Sequence, residues 1–143
     1  MTAALDRAVS WAPWDGPGLE HSRLRTGDIG YVGSGTVLGI SDGVPFRLYY
    51  RIKCDSDWRV RRVILELTGP SVEIAHTLRA DGRGHWRTEE GDPIPELDGC
   101  LDVDISVAPL TNALTMRRLG LNPGHARDVR VLYVDGPRLK MRV

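Results

Sequence analysis

The sequence predicts an all-β protein: a long-stranded antiparallel meander forming a half-barrel or clamshell-like sheet, with at most one short helix. Three observations carry this expectation. Apolar and polar residues alternate with a period of two over long stretches, most clearly from Val44 to Cys54. Tight-turn signals divide these stretches, at Ser41-Asp42-Gly43, Asp55-Ser56-Asp57, Gly69-Pro70, Asp81-Gly82-Arg83-Gly84 and Gly136-Pro137. Sixteen glycines and nine prolines among 143 residues favour many turns over long helices.

Residues 1–17 have no clean period and contain Trp11, Pro13, Trp14 and Gly16, so they read as an irregular lead-in. Residues 18–143 read as a single β-domain. Gly30 to Ile40 is Gly-rich but β-branched, a strand. In the next segment Val44, Phe46, Leu48, Tyr50, Ile52 and Cys54 point one way, and Arg47, Tyr49, Arg51 and Lys53 the other. At about 3.3 Å per residue this strand reaches on the order of 35 Å, far beyond the usual length. Trp58 to Thr68 follows, with Val63, Leu65 and Leu67 on one face. Val72, Ile74, His76 and Leu78 form the apolar side of the next strand, opposite Glu73, Thr77 and Arg79. A short strand runs from His85 to Glu89. Leu97 to Ser106 then places Leu101, Val103 and Ile105 on one face, and Asp98, Cys100, Asp102, Asp104 and Ser106 on the other. Pro109 ends it, Thr111 or Asn112 caps a helix to about Leu119, and Gly120 stops that helix. Arg127 to Asp135 and Arg138 to Val143 are the last strands. One face of this sheet is apolar along almost its whole length, and a single short helix cannot cover it. That shortage points to a ligand-holding cleft.

Composition excludes several classes. The 19 Lys and Arg balance 19 Asp and Glu, with a pI near 6.9, against a nucleic-acid partner, which calls for a basic excess. No basic segment followed by an apolar run opens the chain, and no run of about 18 apolar residues offers a membrane span. The two cysteines, Cys54 and Cys100, are too few for a disulfide scaffold, so the expected compartment is the cytoplasm.

The row of carboxylates is the place to look for function, because charges gathered on one face need cations, water, a metal or a polar ligand. Asp102 and Asp104 lie two apart on a strand, with Cα atoms about 6.6 Å apart. That is loosely compatible with a paired-carboxylate glycosidase or a hard-metal site; it better suits neutralisation by Arg117, Arg118 or arginines of the strands. Those arginines could instead grip a phosphate or lipid headgroup. Thr111 and Asn112 cap the chain or hydrogen-bond a sugar. Trp58 and Trp86 each begin a strand, where an indole either stacks on a sugar ring or plugs the core. Gly33, Gly35 and Gly39 share one side of their strand, admitting a ligand or allowing a bend. Cys100, between two aspartates, is a poor thiolate. His76 reads as a core residue, His85 has no Ser or Cys partner, and no zinc or phosphate-loop spacing occurs.

The run His85-Trp86, then Leu97-Asp98-Gly99-Cys100-Leu101-Asp102-Val103-Asp104-Ile105, then Thr111-Asn112-Ala113-Leu114 and Arg117-Arg118-Leu119, resembles the bacterial putative glycolipid-binding family. Gly18-Leu19-Glu20, Asp81-x-x-Gly84-x-Trp86 and Pro137-x-Leu139 add to the likeness, which covers most of residues 18–140. Ala108-Pro109-Leu110 and Thr115-Met116 depart from the family's Thr-Pro-Phe and Pro-Ile. Members also continue through further strands past the point matching Val143, so the sheet is expected to end on an open edge that invites a homodimer. The resemblance implies a curved half-barrel similar to the lipoprotein-carrier folds that holds a glycolipid. The resulting expectation is non-enzymatic binding of a glycolipid or other amphipathic ligand in the concave face, without cofactor or metal. Its tail would lie along Val44, Phe46, Leu48, Tyr50 and Ile52, and its polar contacts would come from Asp98, Asp102, Asp104, Asn112, Arg117, Arg118, Trp58 and Trp86. The alternatives are a hydrolase-like enzyme acting through the Asp98, Asp102 and Asp104 row, and a protein-interaction module using an exposed sheet edge.

Overall fold

Seven strands form one antiparallel sheet in which neighbours in sequence are neighbours in space. They are β1 (Asp6–Trp11), β2 (Gly18–Thr26), β3 (Gly30–Ser41), β4 (Val44–Asp55), β5 (Val60–Gly69), β6 (Val72–Ala80) and β7 (Trp86–Thr88). The structure, a computed structural model, describes residues 3–143. After a single 3₁₀ turn (Pro95–Leu97) come β8 (Asp102–Ile105), α1 (Leu110–Leu119), β9 (Val131–Asp135) and β10 (Lys140–Arg142). These strands make a second, three-stranded sheet in the order β10-β9-β8, with β8 and β9 parallel and α1 in the crossover between them. The fold is therefore the expected open antiparallel meander with one α-helix among the described residues.

The local chemistry explains the main elements. Asp42 and Gly43 both take positive φ, +51° and +77°, as a two-residue hairpin between twisted strands demands. Asp55 accepts the Asp57 and Arg59 amides, each at 3.0 Å, and so turns β4 into β5. Gly120 closes α1 in the left-handed region, its N–H donating to the carbonyls of Arg117 and Met116.

The apolar face of β4 and β5 is sealed. Leu48, Tyr50, Ile52, Val63 and Leu65 have no exposed surface, and Ile105, Leu110, Leu114, Leu132 and Val134 belong to the same core. The cap of small sheet and helix supplies this cover: a Cβ at Gly33 would lie 3.2 Å from Leu110, and one at Gly136 3.2 Å from Leu48. The expectation of an uncovered face failed because the cap is built from short, weakly periodic segments. The glycines of β3 serve the chain's own aromatics. A Cβ at Gly35 would sit 2.6 Å from the Tyr50 hydroxyl oxygen, and one at Gly39 2.7 Å from the Phe46 ring.

Several local expectations need correction. Residues 6–11, expected within an irregular lead-in, form β1 on the outer edge of the large sheet, paired residue for residue with β2. The acidic strand is only four residues long. Gly99 breaks it with φ +89°, and Asp98 lies on the exposed turn before it, so the five polar residues do not share one face. Trp58 sits in the β4–β5 turn with φ +64° rather than in a strand. Pro109, not Thr111 or Asn112, occupies the helix N-cap. The final strand, β10, is an edge of the small sheet, while the large sheet ends on β1 and β7.

Candidate ligand cleft

β2 has no apolar period, yet Glu20, Ser22 and Leu24 alternate inward along it and are all buried. Glu20 lies between Trp11 on β1 and Val37 on β3 in the strand register. It is only 3% exposed. The Tyr50 hydroxyl donates to its Oε1 at 2.9 Å, and its Oε2 has no partner. Gly35 is what allows Tyr50 to reach this position, since any side chain there would meet the phenol.

Beside this residue opens a cavity of about 560 Å³, which Glu20 lines. Trp11 and Pro13 come from β1 and the loop after it, Val37 and Phe46 from β3 and β4, and Val107 and Pro109 from the loop after β8. Asp15, Glu20 and Ser106 supply polar lining. The lining is thus mostly apolar with few convergent polar groups, the usual character of a small-ligand site. A buried carboxylate oxygen without a partner is costly, and it is satisfied either by a proton or by a ligand that donates to it.

Burial raises the Glu20 pKa above its ordinary value of 4.5, and the hydrogen bond from Tyr50 only partly opposes the rise. Burial, then the neighbouring Glu20 charge, raises the Tyr50 phenol as well. The folded protein therefore holds the Glu20 proton more tightly than the unfolded chain does. The contribution to stability is complete below pH 4.5 and is lost as pH climbs through the folded-state value. Glu20→Gln removes this dependence, so thermal melts should show its stability relative to wild type rising as pH increases from 4.5. A difference independent of pH would show an ordinary carboxyl at this position.

None of the residues singled out from sequence as polar ligand contacts lines this cavity. Asp102 is 2% exposed and accepts two hydrogen bonds from Arg118, Nε to Oδ1 at 2.8 Å and Nη2 to Oδ2 at 2.7 Å. Trp86 is buried, and its indole N–H donates to the Cys100 carbonyl at 2.9 Å. Trp58 stacks on Tyr31 with ring centroids 3.6 Å apart, and the Arg117 guanidinium lies 5.7 Å from its ring centre. Thr111 is fully buried and ties α1 to β8: its hydroxyl donates to Ala108 O at 2.8 Å and accepts the Ile105 amide at 3.2 Å. Asn112 and Asp98 are exposed, and Asp104 is half-buried. Tyr31 is the second residue of β3, and Val37, the first residue of that strand to line the cleft, lies six residues on. The cluster around Trp58 thus lies about 20 Å along the strand from the cleft.

His85 is also structural, its Nδ1 2.8 Å from Asp81 Oδ2. Burial opposes this, but the Arg83 and His85 amides and the imidazole bring the Asp81 carboxyl down to about 2. Burial pushes the Cys54 thiol up to about 12, with help from Asp55 and Asp102, and burial chiefly raises Cys100 too. Neither is a ready nucleophile.

The residues thus define a class: a half-open antiparallel clamshell, capped by a small sheet and helix, with an apolar cleft over one buried acid. The family model described as "Putative glycolipid-binding" matches residues 8–143, and the chain belongs to that family. It is similar to a DUF1089 family protein from Pseudomonas aeruginosa whose crystal structure is known, with 34% identity and a TM-score of 0.78. That similarity covers 96% of this chain and 75% of the other. No curated protein matches.

Proposed function

We propose that the cleft binds an amphipathic ligand of the glycolipid class without transforming it, with Glu20 as the polar anchor. One observation carries this reading: a carboxyl 3% exposed, with Oε2 unpartnered, at the floor of a largely apolar cavity. A sugar or glycerol hydroxyl has the donor that this oxygen lacks. Trp11, across the strand pair from Glu20, offers an indole face for a sugar ring. Each methylene of the attached chain that enters the apolar part contributes roughly 0.8 kcal/mol.

Octyl β-glucoside, which combines hydroxyls with a short chain, is the probe of choice for calorimetric titration. It is expected to bind the wild type, and Glu20→Leu is expected to weaken it by about tenfold or more, the worth of one hydrogen bond to a buried acid. No measurable heat from the wild type, together with no lipid enriched on extraction of natively purified protein, would refute the reading.

A second reading, glycoside hydrolysis, draws on Asp15 lining the same cavity as the protonation-prone Glu20. Asp98, Asp102 and Asp104 do not supply such a pair, because Arg118 holds Asp102 and Asp98 stands on the outer turn. Release of nitrophenol from aryl glycosides that disappears in Glu20→Gln would favour hydrolysis over carriage.

A further inference from the structure

We propose that the face of β2–β4 turned away from the core docks on an anionic lipid bilayer. Leu19, Leu38 and Ile40 point away from the core and are 46%, 51% and 52% exposed. Leu19 and Leu38 are register partners on β2 and β3, and Leu38 in turn faces Arg47 on β4. From that apolar tip the same face continues into cations. Arg25, Val32 and Lys53 form one row across the three strands, and Arg51 faces Ser34. Arg25, Arg51 and Lys53 line one small cleft of about 150 Å³, which Asp28 also borders.

These cations differ from several of their neighbours on the sheet. Arg23 is paired with Asp6, and Arg62 and Arg79 share Glu89. Among the described residues, Arg25, Arg47, Arg51 and Lys53 have no carboxylate within ion-pair distance. Acids on this side are Asp6, opposite Arg25 but bonded to Arg23, Glu89, held by Arg62 and Arg79, and Glu66 and Glu73, opposite Tyr49 and Thr68. A chain with zero formal net charge has thus placed four cations without an ion-pair partner on one face of the sheet.

The apolar tip decides the class of partner. Nucleic acid would use the cations but leave three exposed aliphatic side chains without a role. A bilayer uses both, taking aliphatic groups into the headgroup boundary while basic groups meet lipid phosphates. Trp14, 96% exposed in the loop after β1, adds an indole suited to that boundary. Leu19, Leu38 and Ile40 also border the mouth of the 560 Å³ cavity. Docking there would set the cleft against the membrane, where an amphipathic ligand could pass without crossing water.

The full chain should co-sediment with vesicles of phosphatidylcholine and phosphatidylglycerol far more than with phosphatidylcholine alone, and less as salt is raised. Each cation near an anionic leaflet is worth roughly fivefold, so Arg47→Gln/Arg51→Gln should weaken binding about twenty-five-fold. Leu38→Ser/Ile40→Ser should weaken it independently of salt. Arg47→Gln/Arg51→Gln lies outside the cleft and should leave octyl glucoside binding unchanged, so this surface and the cleft can fail separately. Absence of co-sedimentation, equal binding to both vesicle types, or tighter binding to a short single-stranded RNA than to anionic vesicles would overturn the proposal.

Discussion

Arg118→Ala is expected to cost about 3–5 kcal/mol of stability, because it leaves the Asp102 carboxylate buried without its counter-charge. Asp102 is 2% exposed and the Arg118 side chain 17%, so water cannot replace the lost guanidinium. The geometry is two-pronged, with both carboxylate oxygens used. It joins the last turn of α1 to the first residue of β8, and so holds the cap together. Urea unfolding checks the size of the effect. Asp102→Leu/Arg118→Met, which removes both charges and keeps volume, should recover most of the loss. If Arg118 instead served a ligand, Arg118→Ala would fold with normal stability and lose octyl glucoside binding.

Trp86→Ala is expected to cost a similar 3–5 kcal/mol, through the cavity it leaves. The indole is 1% exposed, and its N–H satisfies the buried Cys100 carbonyl at 2.9 Å. Trp86→Phe keeps much of the ring but orphans that carbonyl, for a loss of about 1–3 kcal/mol. Unfolding curves of the two variants separate packing from hydrogen bonding. At temperatures where they remain folded, both should bind octyl glucoside as the wild type does; a selective loss of binding would restore Trp86 to the ligand site.

Both predictions concern residues that stand out in the sequence, and they show where sequence patterns inform and where they mislead. The meander from Gly30 to Ala80 is legible because its strands alternate cleanly and their turns carry Asp and Gly. The cap is not, because β8, β9 and β10 are short and one of their inward residues is an aspartate. Asp102 looks functional in isolation; its meaning depends on an arginine sixteen positions away reaching it through the crossover. Glu20 is the opposite case. It lies in a strand whose buried face reads Glu-x-Ser-x-Leu, so no apolar period marks it, and only the Gly18-Leu19-Glu20 likeness pointed there. Its neighbour Tyr50 reads from sequence as one more apolar-face residue, since the hydroxyl's partner is thirty positions away.

The parallel pairing of β8 with β9 has a consequence for how the molecule assembles. Every hairpin of the large sheet closes a short loop between adjacent segments, whereas the cap must first wrap residues 106–130 before β8 and β9 can meet. Loop-closure entropy therefore puts the meander early on the folding route and the docking of the cap late. The floor of the cleft exists before its far wall arrives. A ligand already resting on Glu20 and Phe46 would be enclosed by the final folding event rather than having to find a way in afterwards.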